Sequence, residues 1–197
     1  MQFRHHISRN LIALSVTALL GTSALAMTQA EYKAAKDQIS ADYKANKQKC
    51  DGMQGNAKDI CMKEAKGNED VAKAELDAKY KPSDRASYKA RVARADADYA
   101  VAKEKCDDQT GNAKDVCVKD AKAAHVAAKE NAKVARAANK SEPNPTEHAA
   151  NVAEARKDAA AEKNDASYAA AKERCDALSG DAKSKCVDDA KRAHMKN

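Results

Sequence analysis

Between residues 88 and 106 the apolar residues Tyr88, Val92, Ala95, Tyr99, Ala102 and Cys106 form a regular series. Their spacing alternates between four and three, which places all six on one face of an α-helix. Tyr32, Ile39, Tyr43 and Cys50 mark a similar face earlier in the chain. Around these stripes the sequence is mostly Ala, Lys and Glu, the strongest helix formers, with glycine or proline at the breaks. The pattern predicts six helices, over residues 29–50, 57–80, 84–106, 113–139, 147–175 and 182–194. Lys81-Pro82-Ser83 ends the second and caps the third. Residues 141–146 (SEPNPT), with two prolines and no periodicity, predict a hinge or linker. Gly67 reads as a tolerated helical glycine, because Ala123 stands at the matching place further on.

The matching places come from a repeated unit. Starting at Tyr43, Tyr99 and Tyr168 the chain reads YKANKQKCDGMQGNAKDICMKEAK, YAVAKEKCDDQTGNAKDVCVKDAK and YAAAKERCDALSGDAKSKCVDDAK. In each copy a cysteine followed by aspartate lies seven after the tyrosine, a glycine five after that cysteine, and a second cysteine eleven after the first. An upstream tyrosine also repeats in two copies, Tyr32 and Tyr88, whereas the third has Lys157 there. The copies begin 56 and then 69 residues apart, a spacing typical of repeat modules. Gly55, Gly111 and Gly180 mark the break within each unit. Asn56 with Asp59, and Asn112 with Asp115, fit a cap followed by an acid in the first turn, and Asp181 can cap the third copy. Each unit is therefore expected to be an αα-hairpin with tyrosines packed in its seam, their hydroxyls at the wet edge.

Composition decides how such hairpins can be held together. The 197 residues include 46 alanines, and from Met27 onward only 13 are Leu, Ile or Val, with no Trp or Phe. So little bulky apolar area excludes a broad globular core and makes a large catalytic pocket unexpected.

Cysteine chemistry offers another source of stability. Six cysteines allow 15 connectivities, and spacing alone does not choose among them. The repeat argues for pairing within units: Cys50 with Cys61, Cys106 with Cys117, and Cys175 with Cys186. Each bridge closes a loop of about 12 residues and contributes roughly 3 kcal/mol in the chain-entropy model. Zinc is the rival reading, but a cysteine spacing of eleven with only His125, His148 and His194 beyond residue 26 fits zinc poorly. A reactive thiol is a second rival, since Lys49, Lys105 and Arg174 precede the first cysteines, although basic residues also suit a helix C-terminus.

Structural disulfides need an oxidising compartment. Residues 1–10 carry Arg4 and Arg9, residues 11–21 (LIALSVTALLG) are apolar, and Ala24-Leu25-Ala26 is a small-residue cleavage pattern. Residues 1–26 are thus expected to be a secretory signal peptide cut after Ala26, leaving a periplasmic or secreted chain with no transmembrane segment. Thr28 and Glu31 then form a capping box at the next helix start. The expected organisation is a signal peptide at 1–26, two hairpin repeats at 27–140, a linker at 141–146 and a third hairpin at 147–197. The expected fold is all-α: three disulfide-stapled αα-hairpin repeats forming an elongated antiparallel helical bundle or rod.

Charge narrows the function classes. The net charge of +6 falls to +4 without Arg4 and Arg9, and lysines alternate with acids along the helices, as in Glu69 with Lys73 and Glu75 with Lys79. Such faces are solvated and self-paired, so no nucleic-acid partner is expected. There is no glycine-rich phosphate loop, haem motif, HExxH or supported Ser-His-Asp set, so neither enzymatic activity nor a cofactor is expected.

The segments YKAAKDQISADYKANKQ and AAKENAKVARAANK resemble the helical middle region of the TolA envelope protein. Together with the triplicated cysteine unit, they make the chain similar to alanine-rich, cysteine-paired secreted proteins of proteobacteria often labelled TolA-like. That resemblance implies an envelope location; it does not license any role in the Tol system. The expected function is a non-enzymatic envelope structural or interaction protein, its partner an unknown envelope protein or an anionic envelope polymer. A stress-protective or chaperone-like helical protein is the alternative.

Overall fold

The computed structural model describes residues 26–195, where all regular structure is helical. The expected signal peptide lies outside the described residues apart from Ala26. Helix α1 (Gln29–Cys50) opens with the expected capping box: Thr28 Oγ1 accepts from the Glu31 amide at 3.2 Å, and the Thr28 amide donates to Glu31 Oε2 at 2.7 Å. After α2 (Gly55–Tyr80), Ser83 caps α3 (Asp84–Lys105) by accepting from the Ala86 amide at 3.1 Å. A 3-10 turn at Cys106–Asp108 leads into α4 (Gly111–Asn139). Helices α5 (Pro145–Cys175) and α6 (Gly180–Ala193) complete the row.

Each incoming helix passes into its outgoing helix by the same turn. The carbonyls of Cys50, Cys106 and Cys175 accept from the amides of Met53, Gln109 and Leu178, each at 3.0 Å. Gly55, Gly111 and Gly180 then take φ of +57°, +57° and +55°, a left-handed conformation that costs glycine little. Because the glycine itself turns the chain, the outgoing helices start two residues earlier than the sequence predicts. This corrects the capping assignment. Gln54, Thr110 and Ser179 hold the cap positions without side-chain cap bonds, while Asn56, Asn112 and Asp181 lie inside the first turn.

The segment 141–146 is tighter than a linker. Helix α5 begins at Pro145, whose missing N–H costs nothing in a first turn, and Asn144 Oδ1 accepts from the Thr146 amide at 2.9 Å. Helices α4 and α5 pack against each other as extensively as α2 and α3, so the third hairpin lies on the second.

Packing runs from each helix to its sequence neighbours, giving an antiparallel row of three stapled hairpins. Among the described residues, its seams are lined by cysteine and alanine: Cys50, Cys106 and Cys175 are completely buried, and Ala65, Ala95, Ala132, Ala159 and Ala170 nearly so. Larger buried aliphatics are Val71, Leu76 and Val152. With such small side chains, helices gain contact by approaching closely. Gly67 is one place where they do, because a Cβ there would lie 2.8 Å from the Ala97 Cβ. It is a packing glycine of the α2–α3 seam.

Candidate functional site

The six cysteines are brought together as Cys50–Cys61, Cys106–Cys117 and Cys175–Cys186, with Cα separations of 5.6, 5.6 and 5.7 Å. Each bridge sets the register of its hairpin, so a residue a given distance before the first cysteine faces one a similar distance after the second. Seven before and eight after, Tyr99 stacks on His125 with ring centroids 4.6 Å apart, and Tyr168 meets His194 at 6.0 Å. Eighteen before and nineteen after, Tyr32 stacks on Tyr80 at 4.3 Å, and Arg136 lies 5.3 Å from the Tyr88 ring. The tyrosines are packing rungs between the arms of each hairpin. His125 Nε2 lies 2.6 Å from Asp96 Oδ1, while its Nδ1 is buried without a partner.

A second set of contacts joins one unit to the next. The Asn56 side-chain amide donates to the Glu104 carbonyl at 3.0 Å and to Asp108 Oδ1 at 2.7 Å. In the same register, Asn112 donates to the Glu173 carbonyl at 3.1 Å. Each asparagine thereby satisfies a carbonyl in the last turn of the next unit's incoming helix, where intrahelical donors run out. Ion pairs repeat beside it. Lys63 lies 3.8 Å from Glu104 and Glu64 lies 3.5 Å from Lys105; Lys119 lies 3.8 Å from Glu173 and Asp120 lies 2.5 Å from Arg174. Further along, Arg94 meets Glu75 at 2.7 Å and Lys163 meets Asn131 at 2.5 Å. Sequence reasoning missed these joints. The available signal was that Asn56 and Asn112 are identical across copies while the third has aspartate.

A cleft of about 440 Å³ lies where α1 meets the α2–α3 turn. Tyr32, Asp77, Tyr80, Lys81, Arg85 and Lys89 line it. The Tyr32 hydroxyl donates to Asp77 Oδ1 at 2.7 Å, and this hydrogen bond raises the phenol's pKa above its ordinary value. The Lys81 ammonium lies 5.4 Å from the Tyr80 ring centre, whereas Arg85 and Lys89 make no ion pair among the described residues.

Among the described residues, no group of three or more His, Cys, Asp or Glu side chains is placed to hold a metal, and no cysteine is free. No helix there is long and apolar enough to cross a membrane. Comparison with protein-family models, curated proteins and solved structures finds no match.

Proposed function

We propose that this chain is a non-enzymatic structural or interaction protein of the bacterial envelope, a short scaffold of three disulfide-stapled hairpins. The observation that carries the reading is the repetition of one bridge and one joint along the row, which invests the conserved chemistry of the three copies in rigidity. Stacked repeats of this kind offer extended lateral surfaces to a partner. The leader-like residues 1–26 and the resemblance to TolA-like secreted proteins support the envelope location, as do bridges that persist only in an oxidising compartment.

The test is intact mass combined with small-angle scattering on protein recovered from the envelope. The expected result is a mass beginning at Met27, six cysteines protected from alkylation until reduction, and an elongated particle. Free thiols in the recovered protein, or a compact spherical particle, would refute the scaffold.

The cleft favours a second reading, binding of an anionic envelope polymer. Arg85 and Lys89 make no ion pair among the described residues and lie beside an aromatic floor, so an incoming anion need not displace an ion pair seen there. Binding of a polyanion should weaken with added salt and fall with Arg85→Glu and Lys89→Glu. Binding indifferent to both would exclude this cleft.

A further inference from the structure

The joint positions change chemistry in the third unit. In α2 and α4 the edge facing the next unit carries Asn56 and Asn112, Lys63 and Lys119, and six after the second cysteine Gly67, where α2 approaches Ala97 closely, and its counterpart Ala123. The equivalent positions of α6, counted from its cysteine, are Asp181, Asp188 and Arg192, all exposed. We infer that these three residues close the third unit's outer edge, so that a second copy of this chain does not add there.

Each change acts on one contact. Asp181 replaces a side-chain amide with a carboxylate, which cannot donate to a helix-terminal carbonyl and is repelled by the negative end of that helix. Asp188 replaces the lysine that pairs with Glu104 or Glu173 in the other joints, so it would set like charge against a glutamate at that position and supplies no ion pair to Gln48, which stands there in a second copy. Arg192 stands where Gly67 lets α2 approach Ala97, and it is paired to Asp189 along its own helix. A long, charged side chain there blocks close approach.

The opposite edge of the row keeps part of the receiving chemistry. Ala41 and Lys49 on α1 occupy the positions of Ala97 and Lys105, whereas Gln48 replaces Glu104. The third unit is therefore the closed edge, and α1 is the edge that a properly equipped donor would meet. Stacked-repeat proteins need such terminal differences to avoid open-ended growth.

Two sets of variants of the full, oxidised chain test this. Asn112→Asp with Lys119→Asp transplants the closing residues into a working joint. Amide hydrogen exchange of α5 should then accelerate about tenfold while α2 and α3 stay within about twofold, the size expected for one lost hydrogen bond and a reversed pair. In the other direction, Asp181→Asn, Asp188→Lys and Arg192→Ala together should make the chain associate as concentration rises in sedimentation velocity. Ala41→Arg on the receiving edge should reverse that association. Unchanged α5 exchange, a triple variant that stays monomeric while fully helical by circular dichroism, or a parent chain that already associates through the α6 edge would each overturn the inference.

Discussion

A Cβ placed on Gly67 would sit 2.8 Å from the Cβ of Ala97, closer than two carbon atoms can lie without the helices moving apart. Two effects oppose each other in Gly67→Ala. Alanine gains about 1 kcal/mol of helix propensity over glycine, but overpacking a close seam costs typically 1–3 kcal/mol. The partner atom belongs to another short side chain on a helix and cannot swing aside, so the steric cost wins. Gly67→Ala should lower the urea midpoint, and adding Ala97→Gly should recover part of the loss. A rise in midpoint for the single variant would show that the seam yields more easily than the geometry indicates.

Removal of a disulfide should have different consequences along the row. Helix α6 has 14 residues and, among the described residues, packs substantially only on α5, and an isolated helix of that length is marginal in water. Cys175→Ser with Cys186→Ser should therefore release α6, seen as loss of its amide protection with the other helices intact. Helices α3 and α4 also pack on α2 and α5, so Cys106→Ser with Cys117→Ser should leave both formed. The cost there should appear as about 3 kcal/mol of global stability, the chain-entropy value for a loop of about 12 residues. Equal local effects at both sites would contradict this ordering.

Among the described residues helix α1 packs substantially only on α2, so its N-terminal cap should matter more than usual. Thr28→Ala removes the acceptor for the Glu31 amide and half of the reciprocal box. The expected cost is about 1 kcal/mol, confined to the first turns of α1 and measurable as faster exchange of their amides. Glu31→Gln should be milder, because a glutamine oxygen can still accept from the Thr28 amide.

Stability should be greatest around neutral pH. The Lys73 ammonium, helped by Lys66, holds the Glu69 carboxyl below its ordinary pKa, as Lys114 does for Asp107 and Lys183 for Asp176. A carboxyl lowered on folding contributes fully above its unfolded pKa, and the contribution is lost as pH falls through the lower folded value. Urea midpoints should therefore drop between neutral pH and roughly pH 3, within and below the ordinary carboxylate range. Lys66 is raised by Asp70 and Lys133 by Glu130, so their contributions hold below the unfolded lysine pKa and fade as pH rises through the folded values. A midpoint constant from neutral to acid would show that these pairs contribute nothing measurable, as exposed ion pairs sometimes do.

The sequence by itself determined the helices, the positions of the breaks and the faces that pack, because helix propensity, the four-and-three spacing and the Thr28–Glu31 box act over a few residues. Repetition of one unit also singled out Cys50 with Cys61 and its counterparts, each pair only eleven residues apart. Tertiary structure decided the rest. Asn56 and Asn112 look like local caps, yet their amides cross to carbonyls 48 and 61 residues away. Gly67 looks like a tolerated break until Ala97 is set against it, and the proline-containing segment at 141–146 looks like a hinge until α4 and α5 are seen packed together. These contacts depend on the register between helices that are distant in sequence. Such register is set by how closely alanine-lined faces can approach, a property of two surfaces together that neither segment carries alone.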